Sequence, residues 1–144
     1  MPVVEKSALV QHSAGEMYRL VNDVEQYKNF LPWCKSSRLV SLEGDTMVGE
    51  LVVAKSGVTQ SFSTRNTLTE DRRVELQLDE GPFKKLTGQW EFTPLRDDAC
   101  KVSLRLEFEF SGRLMNAAFG AVFSQIANTM VDSFCKRADE IYAN

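Results

Sequence analysis

The chain has 144 residues, 43% hydrophobic and 26% charged. That is a globular balance, which excludes disorder and predicts one domain over 1–144. Its 17 basic and 20 acidic side chains leave a formal charge of −3, without the basic excess of a protein that grips phosphates, so DNA is excluded as a partner and any RNA contact needs a local patch.

Met1 to Lys6 places an acid and a base before any apolar core and does not read as a signal peptide. No run approaches the ~20 apolar residues of a membrane span. The expected location is the cytoplasm, with transient contact at the inner membrane surface.

Residues 3–10 read as a first strand. Ser13-Ala14-Gly15-Glu16 is a capping box: the hydroxyl accepts from the third helical amide and the glutamate reaches back to the serine amide. Met17, Leu20, Val21 and Val24 follow at helical spacing, predicting an amphipathic helix of about ten residues. Asp23 and Gln26 repeat the cap signature, so a second short helix is expected over 24–30. Pro32 ends it by pushing its predecessor out of the helical region.

From 34 to 110 the period becomes two. Strands are predicted at 36–43, 46–54, 60–69, 74–78, 86–92 and 100–110, separated by turn residues such as Glu43-Gly44-Asp45 and Gly81-Pro82. Cys100, Val102, Leu104, Leu106, Phe108 and Phe110 share one face, and Lys101, Ser103, Arg105, Glu107 and Glu109 the other. By the same alternation Leu86, Gly88, Trp90 and Phe92 point inward. So do Val74, Leu76 and Leu78, and so do Phe62, Thr64, Asn66 and Leu68. The facing of 36–43 and 46–54 stays open.

The last element, about 113–143, is a helix with a broad apolar stripe of Phe119, Val122, Phe123, Ile126, Ala127, Met130, Phe134, Ala138 and Ile141. It would be roughly 46 Å long, against ~37 Å for an ~11-residue strand. It is expected to bend or overhang the sheet, with Gly120 the weakest point. The predicted class is α+β: a curved antiparallel sheet gripping one long C-terminal helix, with an apolar pocket between them. Its lining is expected to include Phe62, Trp90, Phe92, Leu104, Leu106, Phe108, Phe123, Ala127 and Met130.

The sequence holds no GxSxG, HExxH, GxGxxG or P-loop. Lone His12 reads as a solvated loop residue. Cys34, Cys100 and Cys135 are odd in number and far apart, and read as reduced thiols rather than a disulfide framework or a zinc site. No metal and no obligatory cofactor is expected. Three segments admit two readings each. Tyr27 to Cys34 (YKNFLPWC) is either a corner of core packing or a pocket rim carrying Phe30, Leu31 and Trp33. Thr64 and Asn66, inward and polar, either bond each other or water, or meet the polar head of an apolar ligand. Gly81-Pro82-Phe83-Lys84-Lys85-Leu86 is an ordinary hairpin, or a contact through Lys84 and Lys85 with phosphate, anionic membrane or protein.

YKNFLPWC, GPFKKLTGQWEF at 81–92, LRLEFEF at 104–110 and AFGAVFSQIANTMVDSFCKRA at 118–138 together resemble one family, from about residue 2 to 142. It is the bacterial ribosome-association toxin group, also described as START-like coenzyme Q-binding proteins and once as oligoketide cyclases. The resemblance implies a helix-grip (START-like) fold. It also implies two functions. The first is a non-enzymatic binder of a polyprenyl quinone (ubiquinone) or similar lipid, supporting cellular respiration. The alternative is a toxin that binds the large ribosomal subunit and inhibits translation initiation, with a small ubiquitin-like antitoxin as partner. A cyclase activity would need a positioned acid or base, and the strands offer no clear inward carboxylate or histidine. The expectation is therefore not an enzyme.

Overall fold

The computed structural model describes residues 3–142, with Met115 described by its backbone alone. The elements follow the predicted order: β1 (Val3–Val10), α1 (Ala14–Asn22), a 3-10 helix (Val24–Asn29), β2 (Cys34–Glu43), β3 (Thr46–Lys55), β4 (Val58–Thr69), β5 (Arg73–Glu80), β6 (Phe83–Arg96), β7 (Ala99–Phe110) and α2 (Arg113–Ile141). The capping box forms as spaced: the Glu16 amide donates to Ser13 Oγ at 3.1 Å, and the Ser13 amide donates to Glu16 Oε1 at 3.0 Å. The second short helix winds as 3-10 rather than α. It spans six residues between Asp23 and the Pro32 corner, a connector position where 3-10 turns are frequent.

The seven strands form one antiparallel sheet in the order β1-β7-β6-β5-β4-β3-β2. Strands β2 to β7 meander, each pairing with the next, and β1 closes against β7 with Val3 opposite Glu107 and Val10 opposite Cys100. Several strands run longer than apolar alternation alone predicts. In β6 the exposed residues Thr93 to Arg96 still pair with β7. Pro94 is tolerated there because a register shift between Pro94 and Arg96 ends the regular ladder.

Alternation sets the layers. Along β7, Cys100, Val102, Leu104, Leu106, Phe108 and Phe110 are all buried, while Lys101 and Arg105 are exposed. In β6, Gly88 sits opposite Leu106, and no side chain fits there. A Cβ would collide with the Arg105 carbonyl oxygen and lie 2.7 Å from Leu106 Cδ2.

Helix α2 has 29 residues, about 43 Å at 1.5 Å per residue, and it overhangs the sheet as its length requires. Arg113, Leu114 and Asn116 to Ala118 are exposed, Leu114 at 85%, and burial begins at Phe119. Its buried stripe runs Phe119, Phe123, Ile126, Ala127, Val131, Phe134 and Ala138. Ile141, predicted inward, lies 45% exposed instead; in the last turns it is Ala138 that is buried and Asp139 and Tyr142 that meet His12 and α1. The helix rests mainly on β1 and β7, α1 wedges against β6, β7 and α2, and the 3-10 helix covers β2. The middle of the sheet, β3 to β5, receives the least helical cover. No described helix is long and apolar enough to cross a membrane.

Candidate functional site

That uncovered stretch is where a cavity lies. It has a volume of about 80 Å³. Sheet residues Met47, Gly49, Leu51, Val53, Phe62, Thr64, Asn66, Leu76, Leu86, Trp90 and Leu106 line it, α2 contributes Phe123, Ile126 and Met130, and Val24, Tyr27 and Trp33 close it from the 3-10 helix and the corner after it. The cross-strand register explains the floor. Leu51 faces Phe62, Gly49 faces Thr64 and Met47 faces Asn66, so alternate residues of β3 and β4 pave one continuous strip. Glycine at 49 keeps that strip low beneath Val24, whose Cγ2 stands 3.4 Å from where a Cβ would be.

Of the residues expected to bind a ligand, Trp33, Phe62, Thr64, Asn66, Trp90, Leu106, Phe123 and Met130 line the cavity. Phe30, Leu31, Phe92, Leu104, Phe108 and Ala127 do not, and each has been spent on packing. Phe92 lies edge-on to Tyr18 of α1 at 6.1 Å. Phe108 packs against Phe123 at 4.8 Å. The half-buried Phe30 ring stands edge-on to Phe134 at 5.2 Å, beneath the Arg137 guanidinium. Leu31, Leu104 and Ala127 are fully enclosed core. YKNFLPWC is therefore both things at once: a packed corner at Phe30 and Leu31, and a cavity wall at Tyr27 and Trp33.

The polar inventory of the cavity is short. The Tyr27 hydroxyl donates to the Val21 carbonyl, and burial pushes its pKa well above the ordinary phenol value, so it stays protonated and occupied. Thr64 is half-buried. Asn66 and Trp33 are buried, at 6% and 5% exposure. Asn66 Oδ1 and Trp33 Nε1 have no hydrogen-bond partner among the described residues, so Thr64 does not donate to Asn66. The lining includes no carboxylate, imidazole, amine or thiol.

His12 is not the solvated loop residue expected from sequence. It is 7% exposed, its Nε2 lies 2.7 Å from Asp139 Oδ1, and its ring meets Tyr142. The partner is invisible in sequence because it lies 127 residues away, on the last turns of α2. This pair ties the β1–α1 loop to the helix and lies away from the cavity lining. Cys135, one turn before Asp139, is no nucleophile for it: burial, then Asp132 and Asp139, push its thiol up to about 11. Burial likewise takes Cys100 up to about 11. All three thiols are free, and no metal-holding cluster exists among the described residues.

Outside, the Gly81–Leu86 segment is a turn only at 81–82. Phe83 is buried and stacks on Phe110 at 4.5 Å. Lys85 reaches Glu107 at 3.1 Å, where Arg105, at 2.6 Å, holds that carboxyl below its ordinary range. Lys84 is exposed and has no ion pair among the described residues.

The family described as "Polyketide cyclase / dehydrase and lipid transport" matches residues 10–135. The "Ribosome association toxin RatA" of Escherichia coli K12 is 45% identical over 143 residues, covering 99% of this chain and 90% of that protein. The "Coenzyme Q-binding protein COQ10 homolog B, mitochondrial" of Xenopus laevis is 29% identical over 141 residues, covering 95% of this chain and 58% of that one. Among solved structures, the Zhui aromatase/cyclase from Streptomyces superposes with a TM-score of 0.83 at 16% identity, covering 96% of this chain and 93% of that one. A START superfamily protein from Mycobacterium smegmatis gives 0.77 at 20%, covering 96% and 98%. Likeness at such identity shows the fold alone, and that fold is the helix-grip, START-like one. With most of its length matched, the chain belongs to the polyketide cyclase/dehydrase and lipid transport family.

Proposed function

We propose that the protein is a ribosome-association factor that binds the large subunit and hinders translation initiation. The observation that carries this reading is 45% identity across 99% of the chain with proteins named for ribosome association. It acts by binding rather than by chemistry, a reading supported by a cavity lining without an acid or base side chain. With a net charge of −3, contact with ribosomal RNA needs a local cationic surface. Lys84, exposed and without an ion pair among the described residues, lies at the start of β6, and Lys85 follows it, paired with Glu107. The purified protein is expected to co-sediment with large subunits at low salt. Lys84→Glu combined with Lys85→Glu should reduce that several-fold, because charge reversal removes a screened attraction and adds a repulsion. Unchanged sedimentation would remove this turn from the contact, and no sedimentation of the wild type would sink the reading.

The cavity supports a second reading: the same chain holds an apolar small molecule of the polyprenyl quinone kind. The lining is apolar apart from a few convergent polar groups, the pattern of a ligand site, and a relative at 29% identity is named for coenzyme Q binding. Mass spectrometry of organic extracts of the purified protein is expected to find such a lipid at near-stoichiometric yield. Extracts free of any lipid would count against it.

A further inference from the structure

The two ends of the sheet carry opposite charge. At one end the β2–β3, β4–β5 and β6–β7 turns hold Glu43 and Asp45, Glu70 and Asp71, and Asp97 and Asp98, against Arg72, Arg73 and Arg96. The other end holds Lys35, Lys55, Lys84 and Arg113, all exposed, against Glu80. The ladder brings these cations to one end. Cys34 lies opposite Val53, Lys55 opposite Val58, Ser63 opposite Glu80 and Phe83 opposite Phe110. The Ser111 amide donates to the Pro82 carbonyl at 2.8 Å, which ties the entry to α2 to the β5–β6 turn. Lys84 and Arg113 therefore flank one junction.

That junction is also apolar. Leu114, at 85% exposure, is the most exposed large apolar side chain among the described residues. Ala117, Ala118 and Ala121 are exposed behind it. From Ser111 to Val131 the sequence has one charged residue, Arg113, which is little for a helix whose first turns stand clear of the sheet. We propose that this end docks on an anionic bilayer surface, with Leu114 entering the acyl boundary and the cations meeting lipid phosphates. A chain of net charge −3 approaches such a surface favourably only by its cationic end. RNA is the poorer fit. Single-stranded RNA is gripped by exposed aromatic platforms, and the rings at this end, Phe62, Phe83, Phe110, Phe119 and Phe123, are all buried. The inference goes beyond the ribosome reading and shares only Lys84 with it.

The test is co-sedimentation of the full-length protein with vesicles of phosphatidylcholine alone, or of two parts phosphatidylcholine to one part phosphatidylglycerol. The protein is expected to bind the anionic vesicles, less so as salt rises, and to leave the neutral ones. Lys84→Glu and Arg113→Glu should each weaken binding by about 5-fold or more. Leu114→Ser should weaken it several-fold with the melting temperature unchanged, since the side chain packs against little. Lys101→Glu, an exposed cation on the outer face of β7, is the control and should bind as the wild type does. Wild-type binding to neither vesicle, or to both alike, would overturn the proposal. So would full binding by Leu114→Ser, or a loss in Lys101→Glu as large as in Arg113→Glu. If Lys84→Glu and Arg113→Glu lose binding to large-subunit RNA but keep the vesicles, this end is an RNA surface and the proposal falls.

Discussion

Gly88→Ala is expected to lower the stability of the protein by about 3 kcal/mol or more. The added Cβ would meet the Arg105 carbonyl oxygen, with Leu106 Cδ2 at 2.7 Å and Leu106 Cα at 3.1 Å. Leu106 Cδ2 could rotate aside, but a backbone carbonyl in the middle of the sheet cannot. The relief must come from separating β6 and β7, whose register holds from Lys85 opposite Glu109 to Pro94 opposite Cys100. Overpacking of this kind costs about 3 kcal/mol or more, a large share of the roughly 5–15 kcal/mol that holds a domain together. Urea unfolding monitored by Trp90 and Trp33 fluorescence would show the midpoint collapse. Gly120→Ala is the matched control: nothing lies within 4 Å of its Cβ position on α2, and helix propensity favours alanine by about 1 kcal/mol. If the two substitutions shift the midpoint alike, the close approach of the two strands at Gly88 is not what selects glycine.

Phe123→Ala is expected to cost about 3–5 kcal/mol and to be partly repaired by a small aromatic ligand. The Phe123 ring stands among Phe62, Phe83, Phe108, Phe110 and Phe119, with centroids 4.8–5.9 Å away. It also forms one wall of the cavity. Truncation therefore breaks an aromatic cluster and enlarges a chamber that already exists. A ligand that binds only the folded state stabilises it by RT ln(1 + [L]/Kd), about 2.7 kcal/mol at a hundredfold excess over Kd. Benzene should thus raise the melting temperature of the variant more than that of the wild type. A variant that loses less than 1 kcal/mol, or that benzene leaves unmoved, would mean that the wall collapses inward when the ring is removed.

The inward faces of β4 to β7 were legible from alternation alone, because each has one wet face and period two reads directly. Strand β3 was not. Its Leu51-Val52-Val53-Ala54 run is apolar on both faces, and Val48 is buried alongside Met47 and Gly49, so no alternation marks which residues floor the cavity. The same limit separates lining from core. Phe92 and Trp90 are both inward residues of β6, yet Trp90 lines the cavity and Phe92 is covered by Tyr18. Periodicity says which side a residue faces. Whether a partner meets it there depends on where α1 and α2 lie across a curved sheet, which residues distant in sequence decide. His12 shows this most plainly, since its environment is set by Asp139 at the far end of the chain.

The pairing of β1 with β7 has a consequence in time. Val3 finds its partner at Glu107 and Val10 at Cys100, so the first strand made is the last to be zipped into the sheet. At about 5–20 residues per second of synthesis, β1 waits roughly 5–20 s for β7 to be made. During that wait Val4, buried in the finished molecule, has no sheet to enter. Contacts this distant in sequence also slow folding, because loop closure must precede any gain from them. A nascent chain of this protein is therefore expected to need a chaperone more than its modest length suggests.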